Sequence, residues 1–473
     1  MFLPIRSITS SDLPSGRKFA VRAPLPDLTA APGLTAAPDA RYVPAMADGH
    51  QSSQGASFQG MAKDRAWFEE DLLGRFLRYV QVHTTSDPHA STTPSTDRQF
   101  DLARMLAGEL RELGLPDVTV DEHCYVLARL PGTVHGADPI GLIAHLDTAP
   151  DFSGEGVNPQ VHRDYDGGPV RLNDQFTLDP TEYPMLARYI GETIVTTDGT
   201  TLLGADDKAG VAEIMGAVRY FVAHPDLPRP DLEIVFTPDE EVGHGMESLP
   251  VASLRSKYCF TLDGTDEGSI EAECFNAYKA TVTFTGYSIH PGTARGKLAN
   301  AVSMASRFTS MLPRSESPEA TDGRYGFYCP TGITGTIAEA SLTVIVRDFD
   351  DAIAQRRNAF LESLARTVEG AFPGGAVRVE IVRQYANMAS FLESHPRVVD
   401  RLKEAVRKTG MEPTIHAIRG GTDGARLSER GIPTPNLFTG GQNLHGRYEW
   451  IPLPAMVRAC KSIINVVQLF AQG

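Results

Sequence analysis

Residues 202–210, LLGADDKAG, lead from an apolar pair and a glycine into a long amphipathic helix. Two adjacent acids, Asp206 and Asp207, stand at the helix start and are followed by Lys208. A carboxylate at this position accepts free backbone N–H groups, and one aspartate is enough for that purpose. The second carboxylate therefore indicates a role other than helix capping. If that role is in a functional site, the other residues of the site must come from elsewhere in the chain.

Strands alternate with helices on both sides of this stretch. Apolar residues recur at helical spacing over 68–80 and 100–113, and Thr96 and Gln99 have the spacing of a capping box for the second helix. Strand-like runs lie at 118–120, 125–130, 140–144, 232–236 and 258–262. The run at 140–144 lacks polar alternation, as in a strand covered on both faces. The sequence therefore predicts an α/β fold with a mostly parallel sheet and helices on both faces.

Residues 275–385 have a different pattern and predict a smaller inserted domain. Apolar residues at 280, 282 and 284 alternate with threonines, as in a half-exposed strand. A helix at 297–312, strands at 332–338 and 341–347, a helix at 351–371 and a strand at 376–384 follow. This β-α-β-β-α-β order predicts a ferredoxin-like α+β domain inserted into a larger one. The larger domain then comprises residues 63–274 and 386–473.

Residues 1–62 are rich in Pro, Ala, Ser and Gly and show no apolar period. Such a segment buries too little surface to offset its ordering entropy, so we expect a disordered N-terminal extension. It lacks the apolar region of a secretory signal. Four aspartates weigh against a transit peptide, and a true start at Met61 explains the segment equally well.

Composition limits the classes of partner. The 473 residues carry a net charge of −15, which argues against nucleic acids or an anionic membrane as partners. The sequence indicates no apolar run long enough to span a bilayer. Five scattered cysteines without a C-x-x-C pair indicate free thiols in a reducing compartment. We therefore expect a cytoplasmic protein.

Candidate functional residues follow the apolar strands. His145 ends one strand, where open α/β sheets place ligands, and Asp147 lies two residues on, so its carboxylate can orient the imidazole. Glu240 and Glu241 belong to an acidic run that follows the strand predicted at 232–236. Asp263 follows the strand predicted at 258–262 and precedes a glycine. In isolation, an acidic run is usually a solvated loop and an Asp-Gly pair is usually a turn.

His445 lies in a Gly-rich loop after a further strand, where a lone histidine is usually a surface residue. Together with the residues above, it gives two histidines and three or more carboxylates that follow apolar strands of one domain, and Asp206 is expected to follow such a strand as well. This donor set suits zinc and similar divalent metals. Asp206 is the natural bridge between two ions, and two-metal hydrolases activate a water shared by both.

These residues resemble the peptidase T family of tripeptide aminopeptidases, within the larger group of co-catalytic two-zinc metallopeptidases. The resemblance runs from about residue 68 to the C-terminus. Its motifs are HLDT (145–148), LGADDKAG (203–210), TPDEEVG (237–243), HPGTA (290–294), RGGTDGA (419–425), NLFTGG (436–441) and HG (445–446). The RGGTDGA and NLFTGG motifs, in this wording, are specific to peptidase T.

The resemblance implies a zinc-exopeptidase-like domain with two Zn²⁺ per subunit, for which Co²⁺ or Mn²⁺ can substitute. One ion would be held by His145, Asp206 and Asp263. The other would be held by Asp206, Glu241 and His445. Asp207 is then left as the helix-start acid. Asp147 would orient His145, and Glu240 would act as the general base.

Three further residues are implied to bind substrate. His290 would polarise the scissile carbonyl or stabilise the oxyanion, and Arg347 would bind the substrate carboxylate. Arg419 is a third candidate. Two alternatives stay open, since Arg347 also suits a structural ion pair and His290 a turn. In this group, lid residues act within one subunit or at the interface of a homodimer.

The implied activity is zinc-dependent release of the N-terminal residue from tripeptides, with small peptides as substrates. One alternative is a related two-zinc dipeptidase, carboxypeptidase or N-deacylase, against which the RGGTDG wording weighs. Another alternative, from a different class, is an inactive metal-binding or interaction protein, against which the intact Glu240 weighs.

Overall fold

The computed structural model describes residues 64–472, so the prediction for residues 1–62 lies outside the described part. The α-helices are α1 (Arg65–Val80), α2 (Gln99–Glu112), α3 (Ala205–Ala223), α4 (Ala301–Met311), α5 (Asp351–Ala371), α6 (Ala389–Leu392), α7 (Pro396–Arg407), α8 (Asp423–Glu429) and α9 (Leu453–Ala471). The strands are β1 (Thr119–Val120), β2 (Val126–Leu130), β3 (Ile140–His145), β4 (Gln160–His162), β5 (Val170–Arg171), β6 (Thr177–Leu178), β7 (Ile194–Thr196), β8 (Leu232–Thr237), β9 (Tyr258–Gly264), β10 (Ser269–Cys274), β11 (Asn276–Thr285), β12 (Phe327–Gly335), β13 (Glu339–Asp348), β14 (Ala376–Tyr385), β15 (Thr414–Ile418), β16 (Asn436–Phe438) and β17 (Trp450–Pro452).

The largest sheet has eight strands in the order β1-β2-β8-β3-β9-β16-β10-β15. Its four central strands, β8, β3, β9 and β16, run parallel to one another. Antiparallel pairs flank them, β2 with β8 on one side and β10 with β16 on the other. The predicted α/β fold with a mostly parallel sheet is confirmed. The carboxyl ends of four strands consequently meet at one edge, where such sheets bind ligands.

Strand β3 shows why its sequence lacks polar alternation. All six of its residues are buried, because both faces of the sheet are covered. Ile140 and Leu142 belong to the large core shared with α1, α3 and α9, whereas Ile143 packs in a separate cluster with Leu427 of α8. Helices therefore lie on both faces, as predicted.

A second sheet has four antiparallel strands in the order β12-β13-β11-β14, with α4 and α5 packed in its core. The order of its elements is the one that the sequence predicts, but the strand predicted at 332–338 is wrong. It starts five residues earlier, at Phe327, and a turn joins it to β13. Strand β12 lies at the sheet edge, contains Pro330 and is mostly exposed, so no apolar alternation marks it. The bounds of an inserted domain stay a prediction.

Among residues 64–472, α9 alone is long and apolar enough to cross a membrane by length and composition. Arg458 and Lys461 interrupt its apolar residues, so it does not contradict the expectation that no apolar run is long enough to span a bilayer. In this structure 89% of the helix is buried, and it packs against α1, α3 and α7. Its apolar character is explained by its place in the core.

Helix α3 approaches β9 through Gly210. An added Cβ at this position would lie 2.0 Å from the Leu262 carbonyl oxygen and 2.4 Å from Asp207 Oδ1. We therefore expect Gly210→Ala to lower the free energy of unfolding by ~2 kcal/mol, because backbone must shift to accept the methyl group. Urea denaturation measures the change.

Gly108 of α2 is the matched control, since a Cβ there meets no atom within 4 Å. Gly108→Ala should stabilise the protein by ~0.5–1 kcal/mol through helix propensity. Equal midpoints for the two variants would contradict this account of the α3–β9 contact.

Candidate metal centre

The five predicted metal ligands lie together at the carboxyl edge of the parallel strands. His145, Asp206 and Asp263 form one group, and a second consists of Asp206, Glu241 and His445. Within each group, one ligand atom from every residue lies within 4.8 Å of the others. Asp206 belongs to both groups, which is the arrangement expected of a bridging carboxylate.

The two oxygens of Asp206 face different halves of the site. Oδ1 lies 2.9 Å from Nε2 of His145, and Oδ2 lies 3.2 Å from Nε2 of His445. His145 Nε2 is also 3.6 Å from Asp263 Oδ1, and His445 Nε2 is 3.1 Å from Glu241 Oε2. Each half thus combines one imidazole, one oxygen of the shared carboxylate and one carboxylate of its own.

Asp206 does not follow an apolar strand, contrary to the sequence prediction. Residues 202–204 are not in a strand, and the strand before them, β7, belongs to a small sheet with β4 and β17. Asp206 and Asp207 have non-helical backbone angles within the first turn of α3. The carboxylate is therefore placed by an irregular turn rather than by a strand end.

Glu449 holds that turn, and sequence reasoning missed it. Its Oε2 accepts hydrogen bonds from the N–H groups of Leu203 (2.6 Å) and Gly204 (2.9 Å). Its Oε1 accepts those of Ala205 (2.7 Å) and Asp206 (3.3 Å). Glu449 is only 1% exposed, and burial raises its pKa to about 7 although the N–H groups oppose that shift. It follows His445 by four residues without any motif, so no sequence signal marked it.

Asp207 has two roles rather than one. Oδ1 accepts the Gly210 N–H at 3.2 Å, which is the predicted helix-start contact. Oδ2 accepts the backbone N–H of His145 at 3.0 Å and so also fixes the end of β3. The adjacent Lys208 extends in another direction, and its Nζ donates to the Val82 carbonyl oxygen at 2.6 Å.

Asp147 contacts His145 and also the acidic loop. Its Oδ1 lies 3.3 Å from Nδ1 of His145, whose ring nitrogen also lies 3.1 Å from the Asp147 carbonyl oxygen. The two carboxylate oxygens accept the backbone N–H groups of Glu240 (3.0 Å) and Glu241 (3.2 Å). A single buried acid therefore sets the ring orientation of one candidate ligand and the backbone position of another.

The third acid of the loop, Asp239, anchors it to the start of α2. It accepts hydrogen bonds from Ser95 N–H (2.7 Å) and from Gln99 Nε2 (2.6 Å), and its own N–H donates to Gln99 Oε1 (3.2 Å). The capping box predicted for Thr96 and Gln99 is wrong, because α2 has no side-chain cap and the Gln99 amide binds Asp239 instead.

Glu240 and Glu241 have separate environments although they are adjacent. Glu241 contacts His445, and its Oε1 is buried without a hydrogen-bond partner. Glu240 belongs to neither ligand group and lines the neighbouring cavity. Burial raises the pKa of Glu240 well above its usual range and that of Glu241 to about 8. One acid is placed to bind an ion, and the other is free to exchange a proton.

The charge of the centre fits divalent cations. Across residues 64–472, no Lys or Arg forms an ion pair with Asp206, Glu240, Glu241 or Asp263. Burial raises the pKa of Asp263 to about 7, and hydrogen bonds that the His445 ring donates to the Asp206 and Glu241 carboxylates raise the pKa of His445 to about 11. Protonation of His445 thus offsets part of the negative charge at this end of the centre. The unpartnered Glu241 oxygen and the mixed N/O donor set match zinc-type sites.

A cavity of about 690 Å³ opens beside the centre, within the size range of small-molecule sites. Arg347 reaches it from β13, where its guanidinium donates to the Tyr278 carbonyl oxygen (3.1 Å) and to Gln384 Oε1 (3.0 Å). It also lies over the Tyr385 ring, 5.6 Å from the centroid. Within residues 64–472 Arg347 forms no ion pair of the structural kind that was considered, and its side chain lines the cavity.

Two predicted substrate residues do not line the cavity. His290 lies in an exposed turn, where its Nδ1 accepts the Gly292 N–H at 3.1 Å, as the turn alternative expects. The guanidinium of Arg419 donates to the carbonyl oxygens of Gly323 (3.1 Å) and Tyr325 (2.8 Å) and so holds the loop at residues 323–325. A substrate role for Arg419 stays a prediction.

Other cavity residues went unassigned by sequence reasoning. Asp423 and Arg426 line the cavity from α8, and Asp423 Oδ2 accepts a hydrogen bond from Thr237 Oγ1 at 2.7 Å. Asp423 lies within the RGGTDGA motif, and Arg426 directly follows that motif. The motif therefore marked the right segment, although the prediction named Arg419 as its substrate-binding residue. Glu271 of β10 also lines the cavity and had no signal.

Comparisons with known proteins agree on one family. The model of peptidase family M20/M25/M40 matches residues 197–469. The chain is 46% identical over 407 residues to peptidase T of Geobacillus thermodenitrificans, covering 85% of this chain and 99% of that protein. Peptidase T of Listeria welshimeri is equally similar, with 46% identity and the same coverage.

Solved structures share the fold. An aminopeptidase PepT from Bacillus cereus matches with a TM-score of 0.68 and 23% identity over 85% of this chain and 99% of that one. A tripeptidase from Staphylococcus aureus matches with a TM-score of 0.68 and 20% identity, covering 86% and 99%. A Bacillus subtilis protein described as a dinuclear metal binding peptidase from the M20 family matches with a TM-score of 0.59 and 16% identity, covering 86% and 99%.

The Glu449 contacts generate a testable prediction. Glu449→Ala leaves four backbone N–H groups of residues 203–206 without their acceptor, so we expect it to lower the free energy of unfolding by more than about 2 kcal/mol. Because Asp206 belongs to both ligand groups, metal content should fall in both halves together. Denaturation and elemental analysis of the purified variant measure the two effects.

Glu412→Ala is the control, since Glu412 forms a surface ion pair with Arg407 and its side chain is 76% exposed. That variant should change stability by less than ~1 kcal/mol and leave the metal content intact. Full metal content in the Glu449 variant would contradict the role assigned to Glu449.

Proposed function

This chain belongs to peptidase family M20 and, within it, to the peptidase T group, and from that premise we propose that it is a tripeptide aminopeptidase. It hydrolyses the first peptide bond of a tripeptide and releases the N-terminal residue. The observation that carries the proposal is the pair of ligand groups joined by Asp206 beside a cavity of peptide size. Its similarity to peptidase T of Geobacillus thermodenitrificans and to a tripeptidase of Staphylococcus aureus supports the same activity.

The proposed cofactor is two Zn²⁺ per subunit, with Co²⁺ or Mn²⁺ as substitutes. His145, Asp206 and Asp263 would hold one ion, and Asp206, Glu241 and His445 the other, which is how the side chains are grouped. When bound, such a pair of ions supplies Lewis acidity for the scissile carbonyl and lowers the pKa of a shared water.

Glu240 is the proposed general base. It takes a proton from the attacking water as the water oxygen bonds to the carbonyl carbon, and it returns that proton to the leaving nitrogen when the C–N bond breaks. Its burial, its place on the cavity wall and its absence from both ligand groups support this role. Asp147 accepts the Glu240 backbone N–H and contacts the His145 ring. It thereby fixes the position of the proposed base relative to the proposed metal ligand.

Substrate binding involves the smaller sheet. Arg347 contributes positive charge to the cavity, where the carboxylate of a peptide would bind. His290 lies away from the cavity of its own chain, so a role at the scissile carbonyl requires movement of residues 275–385 as a lid or a second subunit in a homodimer. A cytoplasmic location belongs to the proposal as well and is supported by five free cysteines, four of them buried.

A panel of peptides tests the proposed function. Di-, tri- and tetrapeptides with free and blocked N-termini are incubated with the zinc-loaded protein, with and without chelator. We expect cleavage of tripeptides with free N-termini to be fastest and to stop when the metal is removed. Hydrolysis of dipeptides but not tripeptides would favour a dipeptidase, and no turnover of any peptide would favour an inactive binding protein.

A pair of variants separates the base from the shared ligand. Glu240→Ala should retain two metal equivalents and lose at least ~100-fold in kcat, because general base catalysis contributes about that much. Asp206→Ala should lose both metals, since both ligand groups include Asp206. Elemental analysis and steady-state kinetics distinguish them, and full activity of the Glu240 variant would refute the assigned base.

A further inference from the structure

The wall of the cavity contains two carboxylates, Glu271 and Asp423, that neither the ligand groups nor the proton transfer uses. Glu271, in β10, is 7% exposed and lines the cavity. Its Oε2 accepts a hydrogen bond from Asn436 Nδ2 at 2.6 Å, and within residues 64–472 its Oε1 has no partner. Because a buried carboxylate is stable as an anion only near donors or cations, this free oxygen needs a partner from the cavity.

We propose that Glu271 binds the α-ammonium group of the peptide substrate and thereby makes the enzyme specific for free N-termini. This inference rests on the proposed aminopeptidase activity and adds the residue that recognises the amine. A primary ammonium fits the vacant oxygen, because it donates hydrogen bonds and carries the charge that the carboxylate lacks.

The position of Glu271 meets the geometric demand of an aminopeptidase. In the first residue of a peptide, one Cα separates the amine nitrogen from the scissile carbonyl, so the two atoms are ~2.5 Å apart. The residue that binds the amine must therefore lie next to the metal centre. Glu271 does, since Asn436 links it to Asp263: the Asp263 N–H donates to Asn436 Oδ1 at 3.0 Å.

The charges around Glu271 favour a cationic ligand. Burial and the nearby carboxylates of Asp266 and Asp206 together raise its pKa to about 7, and the Asn436 hydrogen bond opposes the shift. No Lys or Arg of the described residues pairs with it in a salt bridge. Proximity to two other carboxylates without a protein cation leaves a site that an arriving ammonium would neutralise.

The other unassigned acid of the cavity is less suited. Asp423 accepts a hydrogen bond from Thr237, and the positive charge of Arg426 already favours its ionised form. Glu240 is required for proton transfer, and Asp206, Glu241 and Asp263 belong to the ligand groups. Glu271 is therefore the cavity carboxylate that is both free of a cation and adjacent to the centre.

The test compares two peptides that differ only in the amine. Trialanine has an α-ammonium group, and N-propionyl-alanylalanine has hydrogen in its place. Dissociation constants are measured by calorimetry on zinc-loaded Glu240→Ala protein and on the Glu240→Ala/Glu271→Gln protein. We expect Glu271→Gln to weaken trialanine binding by about 10- to 100-fold and to leave the propionyl peptide within about 2-fold, as for loss of a charge-assisted hydrogen bond.

A merely structural role for Glu271 would give a different result. Glutamine can still accept the Asn436 hydrogen bond, and if the substitution acted only through Asn436 and Asp263, both peptides would weaken by the same factor and metal content would fall. Glu273→Gln is the matched control, because Glu273 lies on the same strand but pairs with Arg324 outside this cavity. It should change neither dissociation constant.

Kinetics with otherwise unmodified protein keep the two proposals apart. Cleavage of trialanine tests the proposed aminopeptidase activity. The amine site is tested by the preference for trialanine over the propionyl peptide, which the Glu271→Gln substitution should abolish. If the protein cleaves neither peptide, the proposed activity fails while calorimetry still decides the role of Glu271. Equal weakening of both peptides, or no binding of trialanine by either protein, would overturn the amine site.

Discussion

The site depends on one carboxylate being shared between two histidines. Asp206 directs Oδ1 to His145 and Oδ2 to His445, so any displacement of its backbone changes both halves at once. The two histidines come from distant parts of the chain, one at the end of a central strand and one in a loop after another. Only the parallel arrangement of β3 and β16 with β9 between them places both within reach of the same side chain.

Three buried acids maintain this arrangement without binding an ion themselves. Glu449 accepts hydrogen bonds from the four backbone N–H groups of residues 203–206. Asp207 accepts one from the backbone N–H of His145. Asp147 accepts one each from the backbone N–H groups of Glu240 and Glu241. An anion that accepts several backbone N–H groups gains charge-assisted hydrogen bonds and fixes the loop that supplies them. The negative charge of the region therefore has two uses, since the acids of the ligand groups would face the proposed ions and the other three acids hold the backbone.

The sequence predicted those ligands that follow strands of the central sheet, because the ends of parallel strands meet at one edge whatever the loops do. It also predicted Asp206, although for a wrong reason, since an irregular turn and not a strand precedes it. Glu449 could not be predicted, because its four contacts join it to residues about 240 positions earlier and depend on tertiary structure alone. The motif that contains Arg419 reaches the cavity through Asp423 instead, because a motif identifies a segment and not which of its side chains faces a cavity.

The cavity has opposite charges on walls that come from different sheets. The acids belong to the edge of the eight-stranded sheet, whereas Arg347 extends from β13 of the four-stranded sheet. A free tripeptide is itself a zwitterion, with its ammonium next to the bond to be cleaved and its carboxylate two residues further on. If the ammonium of the proposed substrate binds near the acids and its carboxylate near Arg347, the two walls favour one direction of binding, and the relative position of the two sheets would set the peptide length.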